Sequence, residues 1–158
     1  MSDQPTGQAA NQAADDDVLR APLLLEYPFR RTTGPVIGAY FTALREGHLV
    51  GILDDSGRVI CPPVEYDPQS GKSLTKIVPV SSEGEVVHWT WNSMIREGQP
   101  FDHPFAWALI KLDGADTPIY HAVDASHEQM SAGMRVRARF ALERRGEVSD
   151  LECFEPAN

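Results

Sequence analysis

Five histidines and two cysteines are the side chains of this 158-residue sequence most able to bind a metal or move a proton. His48, His88, His103, His121 and His127 include no pair at i, i+4 spacing and stand beside no cysteine cluster, so they form no recognisable metal site. Cys61 and Cys153 lie far apart with no obvious base close by, and no G-x-S-x-G elbow occurs. The nearest thing to a catalytic group is His121, with Asp124 and His127 beyond it. A histidine inside an aliphatic strand is more often a satisfied structural residue, and only proximity in the fold reverses that. Ser70-Gly71-Lys72-Ser73 imitates the end of a phosphate-binding loop, but the leading glycine would have to stand at Tyr66, and Pro68 interrupts the amide donors. Residues 88–105, HWTWNSMIREGQPFDHPF, are a better place for binding. Trp89 and Trp91 share a strand face, and Arg96, Gln99, Phe101, His103 and Phe105 mix aromatic and basic groups in a loop able to line a narrow apolar channel. Core packing explains the two tryptophans equally well.

The elements that must position these residues follow from length, charge and pattern. The chain is long enough for one main domain with extra pieces on its N-terminal side, and 42% hydrophobic with 23% charged residues is a globular composition. A formal net charge of -9 opposes non-specific attraction to nucleic acid or anionic lipid. No apolar run is long enough to span a bilayer, and the first residues lack a signal-peptide pattern, so a cytoplasmic protein with free thiols is expected.

Residues 1–17 are polar and acidic and read as a disordered tail. Residues 18–48 hold an extended docking segment and a helix. In the first part, Leu23, Leu24, Leu25, Tyr27 and Phe29 cluster around Pro22 and Pro28, which prevent a regular helix, so the segment packs in extended form on a partner or on its own core. Residues 34–47, GPVIGAYFTALREG, predict a helix, with proline at its start, glycine at its end and an apolar stripe that includes Tyr40 and Phe41. Such a width suits a helix lying between two surfaces. Residues 49–75 read as a hairpin with two turns, and residues 76–158 as strands over 76–80, 85–95, 105–112, 118–123, 135–142 and 148–154. Five strands in so short a length close a small barrel, and one or two helical turns over 126–133 fit the oligonucleotide/oligosaccharide-binding barrel, the OB-fold. Arg135, Arg137 and Arg139 fall on one strand face, either simply solvated or, with Arg144 and Arg145, in contact with an anion or acidic partner.

The segments FTALREGHLVG, GRVICPP, EVVHWTW, FAWALIKLD and GMRVRARF, in that order, resemble the family called domain of unknown function 35. That resemblance implies a mainly β fold: a five-stranded OB-fold barrel preceded by a helix and a rubredoxin-like zinc ribbon. It puts the four zinc positions at Leu53, Ser56, Asp67 and Ser70, none of them a cysteine, so a degenerate, metal-free hairpin is expected, with no cofactor. The branch with PLLLEYPF and PPVEYDP is similar to the small accessory subunits, or fused C-terminal domains, of sterol-carrier-protein-type, thiolase-like aldolases. The resemblance implies a non-catalytic subunit beside a thiolase-like catalytic partner, in a complex that splits a β-hydroxyacyl-CoA by a retro-aldol step, with a steroid side chain as the acyl group. The CoA thioester would be the substrate of the complex. Trp89, Trp91, Arg96, Phe101, His103 and Phe105 are the channel candidates on this reading. Leu23, Leu24, Leu25, Tyr27, Phe29, Tyr40, Phe41 and Tyr66 are the candidates for the partner interface. A stand-alone acyl-CoA-binding module, an accessory subunit of a thiolase or hydratase, and an independent enzyme using His121 or His88 are the competing readings.

Overall fold

The computed structural model describes residues 23, 24, 26 and 32–157. The expected tail over 1–17 and the docking candidates Leu25, Tyr27 and Phe29 lie outside the described residues. The chain divides into two units, Met1–Arg31 and Thr32–Asn158. In the first, Leu23 and Leu24 are exposed; the second holds the helix and the strands.

Helix α1, Gly34–Glu46, forms where the sequence predicts it. Pro35 suits the first turn because its missing N–H would have had no partner there. Gly47 ends the helix in the left-handed region at φ 81°, where its N–H reaches the carbonyls of Ala43 and Leu44. Val36, Tyr40, Ala43 and Leu44 form the buried stripe. Val36 packs with Ile52, Ile60 and Leu74, whereas Tyr40, Ala43 and Leu44 join the barrel core, so the helix lies between two apolar clusters of its own domain.

Strands β1 (Leu49–Leu53), β2 (Val59–Ile60) and β3 (Ile77–Val80) make an antiparallel sheet in the order β2-β1-β3. The strand over 76–80, which the sequence assigns to the barrel segment, therefore completes the hairpin sheet: Leu49 pairs with Val80 and Ile52 with Ile77. The free edge of β2 is covered by the turn over residues 113–118. Asp116 exchanges bonds with the backbone of Val59, accepting on Oδ2 at 2.8 Å and donating its own N–H at 2.8 Å. Thr117 Oγ1 accepts from Cys61 N–H at 2.9 Å and donates to its carbonyl at 3.0 Å. An edge closed in this way offers no template for further strands.

Five strands close the barrel: β4 (Glu83–Asn92), β5 (Phe105–Leu112), β6 (Ile119–Val123), β7 (Arg135–Phe140) and β8 (Leu151–Pro156), in the order β4-β5-β6-β8-β7. β6 and β8 pair in parallel and the other neighbours antiparallel, as an OB-fold requires. Gly84 sits at the crossing where β4 pairs with both Leu112 and Val136; a Cβ there would collide with the carbonyl of Lys111. Residues 126–133, expected as one or two helical turns, form no α-helix: Gln129 N–H on Ser126 and Met130 N–H on His127 make two overlapping i to i+3 bonds, and Met134 N–H on Ser131 a separate one. Alternation along β5 sends Ala106, Ala108, Ile110 and Leu112 inward to Val86, Val123, Val136 and Phe154. Cys61 and Cys153 are free and buried, and burial pushes both thiols up to about 12.

Candidate functional site

Residues 93–104 join β4 to β5 and fold over the outer face of β5, β6 and β8. Gln99 organises the loop from inside: its Oε1 accepts from Asn92 Nδ2 at 3.2 Å and from the Arg96 N–H at 3.0 Å. Phe101 is thereby turned onto the sheet. Its ring stacks on His103 at 4.9 Å and meets Phe105 edge-on at 5.3 Å, and the row continues through Trp107 to a stacked Tyr120. Phe105 is fully buried with Ala122 and Cys153 under the loop. It is a core residue, which corrects its place among the channel candidates: a side chain at this register faces the sheet-to-loop interface.

Charge fixes the same loop at its end. His103 Nε2 lies 3.0 Å from Asp124 Oδ1, and Nδ1 3.3 Å from Asp102 Oδ1. Asp124 also holds Arg139 at 2.9 Å, and Arg139 reaches Glu155 at 3.1 Å while standing 5.9 Å above Phe101. Hydrogen bonding to Asp124 and then to Asp102 raises the His103 pKa. Burial pushes the Asp124 carboxyl up, but the bonds from His103 and Arg139 outweigh it and hold the group below its ordinary value. These residues form a latch. Both ring nitrogens of His103 face carboxylates, so neither is left to act as a base on a substrate.

The remaining candidates are distributed around this latch. Arg96 and Phe101 line one open cleft of about 510 Å³. Trp91 and His103 line a second of about 570 Å³, together with Asp124 and His127. Trp89 and Trp91 both meet the edge of the His127 ring, at 5.7 and 5.2 Å, and both pack against the barrel core. Tyr66 is exposed, whereas Tyr40 is buried and Phe41 partly buried on the chain's own core. Tyr40 thus serves the fold, because its position on the stripe faces the barrel; burial raises its hydroxyl pKa.

No hydrogen bond joins His121, Asp124 and His127 among the described residues. His121 meets Phe154 edge-on at 5.7 Å, burial lowers its pKa, and its buried Nδ1 has no hydrogen-bond partner. The arginine face is also committed internally. Arg135 pairs with Asp113 and Glu83, Arg137 with Glu155, and Arg139 with Asp124, Glu152 and Glu155. Arg144 donates to the carbonyls of Arg45 and Ala141. Sequence reasoning missed Trp107 and Arg139 as parts of this site. Trp107 is legible from its period-two relation to Phe105; the partners of Arg139 depend on strand order.

A zinc ion does not fit the four ribbon positions. Leu53 carries no donor atom, and the Ser56 hydroxyl donates to Asp54. Asp67 has a suitable oxygen chemistry, but its Oδ1 accepts the N–H groups of Gln69 and Ser70 at 2.8 and 2.7 Å. Four thiolate or imidazole donors are what a structural zinc site requires.

Residues 77–141 match the family model described as the C-terminal OB-fold domain of ChsH2. Among solved structures, a protein of unknown function from the DUF35 family of Sulfolobus solfataricus superposes with a TM-score of 0.58 at 17% identity, covering 78% of this chain and 83% of that one. The Ltp2-ChsH2(DUF35) aldolase also gives a TM-score of 0.58, at 18% identity, covering 82% of this chain and 100% of that chain. At these identities the two structures establish a shared fold, and the resemblance to domain of unknown function 35 read from the sequence is found again in both comparisons. No curated protein matches by sequence.

Proposed function

We propose that this chain is the non-catalytic accessory subunit of a thiolase-fold aldolase, which cleaves a β-hydroxyacyl-CoA by a retro-aldol step. The observation that carries this reading is the match of 82% of the chain to a whole chain of the Ltp2-ChsH2(DUF35) aldolase. The internal chemistry agrees with it. His103 and Asp124, the best-placed acid-base groups, are spent on holding the 93–104 loop, and His121, half-buried against Phe154, has no acidic or nucleophilic partner within hydrogen-bond reach among the described residues. Catalytic groups would then belong to the partner, and this chain would stabilise that partner and shape one side of its substrate channel.

The open clefts beside Trp91, Arg96, Phe101 and His103 are the surfaces assigned to the channel. A steroid side-chain thioester is the substrate class the reading favours. A hydratase is a further candidate neighbour in the same assembly, and the cytoplasm its compartment; among the described residues no helix is long and apolar enough to cross a membrane. Co-expression with a thiolase-like protein tests the proposal. A stable co-purifying complex is expected, and a thiolase-like protein that is stable and fully active alone would contradict it.

A further inference from the structure

The misfit of zinc to the ribbon has a physical counterpart one residue from the first lost position and at the third. Asp54, Asp67 and Asp150 are the only buried charged residues among those described. In the first turn, Asp54 Oδ1 accepts from the Ser56 N–H at 2.9 Å, the Ser56 hydroxyl at 2.7 Å and the Arg58 N–H at 2.9 Å, while Oδ2 accepts from Arg58 Nε at 3.0 Å. The turn is closed on both sides by main chain, Asp54 N–H to the Arg58 carbonyl and Gly57 N–H to the Asp54 carbonyl. In the second turn, Asp67 Oδ1 accepts from the Gln69 and Ser70 N–H groups, and main-chain bonds again run from Asp67 N–H to Lys72 and from Gly71 N–H back to Asp67. Each turn is completed by a glycine with positive φ, 87° at Gly57 and 70° at Gly71. Lys72 links the two turns through Asp55 at 3.7 Å. Asp150 treats the loop before β8 in the same way, accepting from the N–H groups of Arg145, Gly146 and Glu147.

In a zinc ribbon, the metal and its ligands hold the two turns in register. Here each turn carries its own acceptor, a buried carboxylate that takes up the N–H groups of its own exposed turn and is itself satisfied by them, and those bonds need no ion. We infer that the ribbon has exchanged its metal for two carboxylate clasps, Asp54 and Asp67, so that each turn is organised independently of any bound ion. The role belongs to the acceptor oxygen. That distinguishes it from metal ligation, because an asparagine at position 67 retains an acceptor for the two N–H groups but is a poor ligand.

The test uses the full-length chain, dialysed against a chelator and then equilibrated with zinc alone, with amide exchange and metal content as readouts. The N–H groups of Ser56, Arg58, Gln69 and Ser70 should stay protected in chelator, and zinc should not rise to one per chain. Asp54→Ala should lower protection at Ser56 and Arg58 by about tenfold and leave Gln69 and Ser70 within about twofold, and Asp67→Ala should do the reverse. Asp67→Asn should preserve protection at Gln69 and Ser70. Stoichiometric zinc, loss of protection in chelator, or equal failure of Asp67→Asn and Asp67→Ala would each overturn the inference. Should an alanine variant not fold, the asparagine variant and the chelator arm still decide it.

Discussion

His103 and Asp124 carry the pH dependence of the site. The folded His103 has a raised pKa, so its contribution to stability is complete below its unfolded value and is lost as pH rises through the folded value. Asp124 has a lowered pKa and works in the opposite direction, losing its contribution as pH falls through the folded value. The latch is therefore whole only between those two limits. Amide exchange across residues 93–104 should show protection that falls above the raised His103 pKa, and His103→Gln should remove that pH step while leaving the barrel core protected. An unchanged step in the variant would assign it elsewhere. This site was partly legible: the mix of aromatic, basic and proline residues over 96–105 marked Arg96, Phe101 and His103 as a binding loop. Asp124 and Arg139 were not, because their meeting depends on β6, β8 and β7 lying side by side in that order.

Elements were easier to read where alternation was strict. The FAWALIKL run became β5 and the proline-to-glycine stretch became α1, since both are set by local periodicity and caps. β3 was misplaced because four residues of strand pattern cannot say which sheet they join; the pairing of Leu49 with Val80 decides it. The turns over 126–133 replace the expected helix because their i to i+3 bonds stop after two successive residues, too few to propagate one. Helix docking can be tested at two points. Leu44 has 0% exposure and sits between helix and barrel, so Leu44→Ala should cost about 3 kcal/mol in denaturant unfolding through the cavity it leaves. Arg144→Ala removes donors to the carbonyl near the helix C-terminus and should cost about 1 kcal/mol by the same measurement.

Over the whole molecule, a net charge of -9 coexists with an arginine face on β7 whose three members are matched by carboxylates on β4 and β8 and in the turns after β5 and β6. CoA carries several phosphate charges, and this surface offers them no unmatched arginine cluster on β7. On the proposed function, those cations come from the partner. Calorimetry of the isolated chain with CoA should accordingly detect no binding at micromolar concentrations, whereas clear binding would favour a stand-alone acyl-CoA-binding module. The fold was legible at this scale because five ordered segments each matched one part of it; the assembly was not, because a partner surface has no periodicity of its own. The most direct measurement is retro-aldol cleavage of a β-hydroxyacyl-CoA by a thiolase-like protein co-purified with this chain, with and without His88→Ala and His121→Ala. Cleavage should need both proteins and survive both histidine changes. Cleavage by either protein alone, or its abolition by His121→Ala in a folded complex, would contradict the proposed function.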